Sequence, residues 1–194
     1  MKKTALVALT LILAATASPA SAAGWQVNVD PGQTEVSFAL KATMHTVHGS
    51  AQLASGSLVV DPDTGAVDGE IVIDVPSAET GNGSRDKKMH KKVLLSRDHP
   101  LIVLRPHRIE GALSTGSNSV TLACDLELLG TSHPIDIPFD IRIEGSSFTA
   151  EAEFTVPYVA WGLKDPSTFV LRVAKEVTVQ VSTKGTIDTG GGDG

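Results

Sequence analysis

The residues of this sequence best suited to chemistry are six histidines, one cysteine and a run of closely spaced cations. His45 and His48 are three apart, a spacing that on a strand sends them to opposite faces and denies them a shared metal ion. His90, His99, His107 and His133 are scattered, and His99 and His133 each precede a proline, which places both in expected turns. Asp61, Asp63 and Asp68 with Gly65 and Gly69 have a faint likeness to a calcium loop. The fifth position is a glycine and the twelfth is Val72, so a hairpin turn is the better reading. Cys124 has no partner for an internal disulfide, and it sits on the apolar phase of Val120, Leu122, Cys124, Leu126 and Leu128, where burial keeps a thiol protonated and inert. No dinucleotide or phosphate loop, zinc-ligand helix or nucleophile elbow occurs. Nucleophilic catalysis needs a base within reach of its nucleophile, and no such local constellation is present. No catalytic centre, metal or cofactor is expected.

The cations Arg85, Lys87, Lys88, Lys91, Lys92 and Arg97, with His90 among them, stand out in a chain of net charge -6. They form either a solvated helix face or an anion cradle for a phosphate head group or an acidic membrane surface. On the second reading Arg85, Lys87, Lys88, Lys91 and Lys92 are the head-group residues. The acidic balance removes a whole-molecule footprint for nucleic acid. Five Phe, two Trp and one Tyr leave few rings for the stacking platforms on which sugars and single strands are held. No nucleic-acid partner is expected.

The elements that must position these residues are mostly strands. Val36, Phe38 and Leu40 share one phase. Leu58 and Val60 run into the turn Asp61 to Gly65, and strands follow at Glu70 to Val75 and Ile102 to Arg108. After the Cys124 strand and a turn at Gly130 to Pro134, Ile135, Ile137, Phe139, Ile141 and Ile143 form one face. Phe148, Ala150, Ala152, Phe154 and Val156 form the next, and Val173, Val177, Val179 and Val181 mark the last strand. One-sided alternation covers a core on one face and meets water on the other. Around eight such strands must close or sandwich, and a closed barrel of about eight strands can hold one small or elongated ligand. The expected fold is all-β, a closed antiparallel barrel with one short helix around 84–95. Ser84 is its expected N-cap, and Met89 and Val93 are its docking residues.

The first residues carry a different signal. Lys2 and Lys3 precede an apolar stretch from Ala5 to Ala17, then Pro19, Ala20, Ser21 and Ala22. The stretch is shorter than the roughly 18 residues of a membrane span and reads as a secretory signal peptide, residues 1–22, cut after Ala22. Removal of two lysines leaves fourteen Lys and Arg against twenty-two Asp and Glu. The domain is expected over 23–188, with a disordered Gly-rich tail at 189–194.

Several of these features, taken in order, resemble the YceI-like family. They are Trp25 with Asp30, Val36-Ser37-Phe38, His45-Thr46-Val47-His48-Gly49, Thr80-Gly81-Asn82 with Arg85-Asp86 and Met89, Pro100-Leu101-Ile102, Leu126 to Gly130, and Lys175-Glu176-Val177. The most specific piece is Thr-Gly-Asn followed by Arg-Asp before the helix. The resemblance spans about 25 to 188 and implies an extended eight-stranded lipocalin-like barrel, exported, holding a polyisoprenoid or another long aliphatic molecule. Ala42 stands where the family often has a His, and Tyr158 to Thr168 departs from the shorter loop expected there.

An aliphatic, aromatic-poor interior favours a flexible hydrocarbon on its own terms. The expected activity is that of a periplasmic or secreted, non-catalytic protein that carries or stores a polyisoprenoid, an isoprenoid quinone or a fatty-acid-like lipid and makes transient contact with a membrane surface. Phe38, Leu40, Leu122, Leu126, Ile137, Phe139, Phe154 and Val156 are the inward candidates for the ligand wall. The rival readings are an exported hydrolase with a dispersed Ser/His/Asp site and a ligand-free, stress-related protein that acts through its surface.

Overall fold

The computed structural model describes residues 24–190, so the expected signal peptide and residues 191–194 of the expected tail lie outside the described residues. In chain order the strands are β1 (Trp25–Val29), β2 (Glu35–Lys41), β3 (Thr46–Val60) and β4 (Val67–Glu79). A helix, α1 (Gly83–Met89), precedes β5 (Leu101–Glu110), β6 (Gly116–Leu128), β7 (Thr131–Glu144), β8 (Ser147–Val156) and β9 (Val177–Asp188). Every strand pair is antiparallel, and the circuit β3-β2-β9-β8-β7-β6-β5-β4 closes because β4 pairs back onto β3.

Nine strands make eight staves. β1 and β2 both lie between β3 and β9, one beyond the other: Trp25 faces Val60 and Gln26 faces Asp188, while Val36 faces both Ala51 and Val181. A short 3-10 turn at Pro31–Gln33 breaks the stave, held by the Asp30 carboxylate, which accepts the Gly32 N–H at 2.8 Å and the Gln33 amide at 2.7 Å. The expected closed eight-stranded barrel with one helix is the observed fold. The β3–β4 pairing rules out the sandwich.

Alternation sets which side chains fill the barrel. On β6 the buried phase is Val120, Leu122, Cys124, Leu126 and Leu128, and on β7 it continues through Ile137 and Ile143. A bulge between Leu53 and Ser55 shifts the phase of β3, so that Leu53 and then Gly56, Leu58 and Val60 all point inward. The apolar interior forms two clusters along the axis. One, built on Val60, Val67, Ile109, Val120, Ile143, Phe148 and Ile187, seals the end where β3–β4, β5–β6 and β7–β8 turn. The other, built on Leu126, Leu128, Val156, Tyr158 and Leu163, lies at the opposite end, where Val93 and Leu94 beyond α1 and Val159 and Trp161 pack against it. Leu104, Ile135 and Phe154 touch both clusters.

Three local expectations are corrected. The turn expected over Gly130 to Pro134 is confined to Leu129 and Gly130, both with positive φ (52° and 74°), the signature of a two-residue hairpin turn whose twist matches the strands. β7 therefore resumes at Thr131, and His133 stands on a strand. The helix N-cap is Asn82, not Ser84: its side-chain oxygen accepts the Ser84 and Arg85 N–H groups at 3.2 and 3.1 Å. Residues His90–Leu94 then widen into a π-turn that ends at Leu95. Val173 makes only an isolated bridge to Ala42, and the last strand starts at Val177.

Candidate functional site

The eight residues expected to form a ligand wall all fall on the inward phase of four strands, the neighbours β6, β7 and β8 and, across β9, β2. Leu122 opposes Ile137, Phe38 opposes Val179, and Val179 in turn opposes Phe154. Leu122, Ile137, Leu126 and Val156 are fully buried, the first pair in the closed-end cluster and the second pair in the mouth cluster. Phe38, Leu40, Phe139 and Phe154 are only partly buried, as are Val179 and Val181 beside them. The sealed end is thus close-packed, and the wall of β2, β8 and β9 is less completely covered.

One glycine shapes that wall. Gly49 of β3 sits opposite Phe38, and a Cβ there would lie 2.3 Å from Phe38 Cζ and 2.4 Å from the Glu79 carbonyl oxygen. The missing side chain lets the phenyl ring lie across β3 instead of standing out into the barrel.

The barrel has a seam at its mouth. β7 and β8 pair from Glu144–Ser147 only as far as Phe139–Ala152, whereas β6–β7 runs on to Leu128–Thr131 and β8–β9 to Val156–Val177. Pro134 and Pro138 account for it. The β6–β7 register is unbroken through both, so their missing N–H groups fall on the β8 side, where a ladder would need them. The 157–163 segment follows β8 at this end of the barrel. Tyr158 donates its hydroxyl to the Ala174 carbonyl at 2.7 Å, Leu163 N–H donates to the Tyr158 carbonyl at 3.0 Å, and Trp161 lies flat on His133 with ring centroids 4.5 Å apart and planes 3° from parallel. His133 shares the inward phase with Ile135 and opposes Leu126. Its Nε2 is buried and has no hydrogen-bond partner, the one such side-chain atom among the described residues. Leaving it unpaired costs about 1–3 kcal/mol. The sequence concealed this group because the following proline suggested a turn.

The remaining chemical groups have ordinary roles. Burial pushes the Cys124 thiol up to about 12, aided by Asp136 and Asp125, and its Sγ donates to the Ile135 carbonyl at 3.2 Å. Arg85 is engaged within the chain, with Nε donating to Thr80 Oγ1 at 2.6 Å and Nη2 to the Thr80 carbonyl at 2.7 Å, while Asp86 accepts from the Thr80 N–H and hydroxyl. This Thr80–Arg85–Asp86 clamp, with His90 held between Ala78 and Ser96, ties α1 to β4. Lys87, Lys88, Lys91 and Lys92 are exposed, and none has an ion-pair partner among the described residues. An open concavity of about 720 Å³ lies on the outer face of the barrel beside Glu35, Glu110, Asp140, Glu151 and Glu153. Most of its lining is the solvent phase of the strands, its five carboxylates included, and Val120, Phe139, Ala152 and Val181 complete it, so it suits a polar occupant better than an apolar chain.

The sequence matches the family model described as YceI-like domain over residues 27–185. No curated protein matches it. Among solved structures it is similar to a polyisoprenoid binding domain from Saccharophagus degradans implicated in plant cell wall breakdown, at 14% identity and a TM-score of 0.62, covering 84% of this chain and 98% of that one. It is similar to BcnA from Burkholderia cenocepacia at 19% identity and a TM-score of 0.62, covering 80% and 98%. It is also similar to a YceI protein from Campylobacter jejuni at 12% identity and a TM-score of 0.61, covering 74% and 86%. At these identities the likeness is one of fold.

Proposed function

The chain belongs to the YceI-like family, and from that premise we propose that it is an exported carrier or store for one long apolar lipid, a polyisoprenoid, isoprenoid quinone or fatty-acid-like molecule, held along the barrel axis. A ligand-binding role for the barrel is supported by the family and by the likeness of its fold to that of a polyisoprenoid binding domain. The observation that carries the choice of ligand is the inner wall itself: apolar along most of its length, without a Lys, Arg, Asp or Glu on the inward phase of the described strands, and incompletely covered on β2, β8 and β9.

Dimensions agree with a long chain. The 13 residues of β6 rise about 3.3 Å each and tilt by roughly 40° in a barrel of this size, which gives an interior of roughly 30 Å. That is close to the hydrocarbon thickness of a bilayer, from which such a molecule would be drawn. Each methylene removed from water contributes about 0.8 kcal/mol, so ten of them outweigh the ordering of a flexible chain. Export is supported by the Lys2-Lys3 and Ala5 to Ala17 pattern, and a binding role in place of catalysis by the scattered histidines and the inert thiol.

The test is organic extraction of the protein purified without detergent from its own cells, followed by mass spectrometry and N-terminal sequencing. A single class of long-chain lipid at up to one per protein, with a mature chain starting at Ala23, is the expected result. A lipid-free protein that also takes up no added prenyl chain would overturn the carrier reading.

A further inference from the structure

We propose that His133 is the hydrogen-bonding anchor for a hydroxyl or carbonyl oxygen at the head of the ligand, with Trp161 as its cover. The proposal rests on the carrier reading and adds a ligand class to it. Other polar side chains on the inner face are satisfied: Asn118 donates to the Ser114 and Gly116 carbonyls at 2.7 and 3.0 Å, and the Thr183 hydroxyl meets that of Thr34 at 2.6 Å. His133 Nε2 is buried without a partner. It lies at the mouth end of the seam that Pro134 and Pro138 leave between β7 and β8, where an apolar chain lying along the axis would present its terminus. An imidazole nitrogen can donate to or accept from one neutral oxygen, depending on its tautomer. It cannot satisfy a phosphate, and the positions nearest it, Leu126, Ile135 and Trp161, carry no charge. The indole covers a face of the imidazole and leaves the in-plane direction of Nε2 to the oxygen, so binding beside the stacked pair should change Trp161 fluorescence.

The experiment titrates the delipidated full chain with geranylgeraniol and with the hydrocarbon left when its hydroxyl is replaced by hydrogen. Wild type should prefer the alcohol by about tenfold. His133→Leu should bind both equally, with hydrocarbon affinity unchanged, and His133→Gln should keep part of the preference. An alcohol preference intact in His133→Leu, or absent from wild type, overturns the anchor alone. Loss of hydrocarbon binding in His133→Leu would make the residue structural and also overturn it. If wild type takes up neither probe, the carrier reading falls with it.

A separate observation concerns the outside of the same end. Beyond residue 22 the chain has fourteen Lys and Arg. Ten of them fall in the mouth-end segments 41–46, 79–101, 129–134 and 157–177, against five Asp and Glu, while the rest of the chain holds four cations and seventeen carboxylates. At this electropositive end stand three nearly bare apolar side chains, Met44, Phe169 and Val170, at 87%, 97% and 85% exposure. They occupy two adjacent hairpin tips. Thr168 N–H donates to the Leu171 carbonyl at 2.8 Å, which presents Phe169 and Val170. Thr43 N–H donates to the Arg172 carbonyl at 2.9 Å, and Arg172 N–H returns to Thr43 Oγ1 at 3.0 Å, which fastens the Met44 turn beside them.

From this pairing of apolar tips with a cationic surround, on a chain otherwise acidic, we infer that the mouth docks onto an anionic bilayer. Sedimentation with vesicles of phosphatidylglycerol and phosphatidylcholine tests it. Binding should fall as salt rises, vanish on phosphatidylcholine alone, and weaken about tenfold in Met44→Ser/Phe169→Ser/Val170→Ser, whose substitutions are too exposed to unfold the barrel. No binding to the anionic vesicles, or binding indifferent to the triple variant, overturns the inference. So does a dimer of the free protein that the triple variant abolishes, which would assign the tips to a second copy of the chain.

Discussion

Raising the pH should destabilise this protein through two buried acids, Cys124 and Tyr158. Burial lifts the thiol to about 12 from an ordinary 9.0, with Asp136 and Asp125 adding to the effect, and lifts the Tyr158 phenol to about 12 from 10.0, with Asp165 adding. The native state favours the protonated form of both. As pH climbs, the unfolded chain therefore ionises first, and stability that is complete below the unfolded pKa values is lost on the way to the native ones. Each group contributes a slope of about 1.4 kcal/mol per pH unit, beginning near pH 9 for Cys124 and near pH 10 for Tyr158. Carried to pH 12, that is about 4 kcal/mol for the thiol and about 3 kcal/mol for the phenol, a large part of the 5–15 kcal/mol that a domain possesses. Urea midpoints measured from about pH 8 to pH 11 for the parent, Cys124→Ala and Tyr158→Phe separate the two groups from the lysines that titrate in the same range. Cys124→Ala should be less stable at pH 8 yet decline less steeply above pH 9, and Tyr158→Phe should flatten the curve above pH 10. Parallel curves for parent and Cys124→Ala would refute the placement of this thiol in the wall shared by β6 and β7.

Three further substitutions probe the parts that shape the site. Gly49→Ala should cost about 1–3 kcal/mol by urea unfolding, and Phe38→Leu should rescue it only in part, because the Glu79 carbonyl blocks the new methyl as well as the ring does. Asn82→Ala removes the cap that receives two backbone N–H groups and should lower stability by about 1 kcal/mol, while Ser84→Ala should do far less. Ile137→Ala, at a position 4% exposed, should cost about 2–5 kcal/mol and leave a space that fits a bulkier ligand tail, read as a change in preference among prenyl chains of different length.

Much of the barrel was legible because its strands are half-wet: Ile135 to Ile143 against Asp136 to Glu144 can be read at sight as an inner and an outer face. The closed topology was legible only as an argument about edges, since alternation does not say which strands meet, and the division of one stave into β1 and β2 left no mark in the pattern. The wall residues were readable as a phase. Which of them are close-packed and which only partly covered depends on contacts across the barrel, and sequence carries no such information. His133 was missed for a specific reason. Pro134 reads as the close of a turn from Gly130, whereas it is one of two prolines that keep β7 paired on one side and bare on the other. Pro138, four residues on and in the same phase of an otherwise regular alternating strand, was the available signal. The cations of the helix were visible as a run. That they share an end with Met44 and Phe169 follows only from the up-and-down topology.

The central claim, that a long lipid lies inside the barrel, is tested most directly by photo-crosslinking a diazirine-bearing prenyl alcohol to the full chain and mapping the labelled residues by mass spectrometry. Labels competed away by unlabelled alcohol should fall on inward positions of β2, β7 and β8, Phe38, Leu40, Phe139 and Phe154 among them, and on Trp161 or His133 when the diazirine is near the head. Labels confined to the outer concavity around Glu151 and Glu153, or spread over the surface without competition, would contradict it.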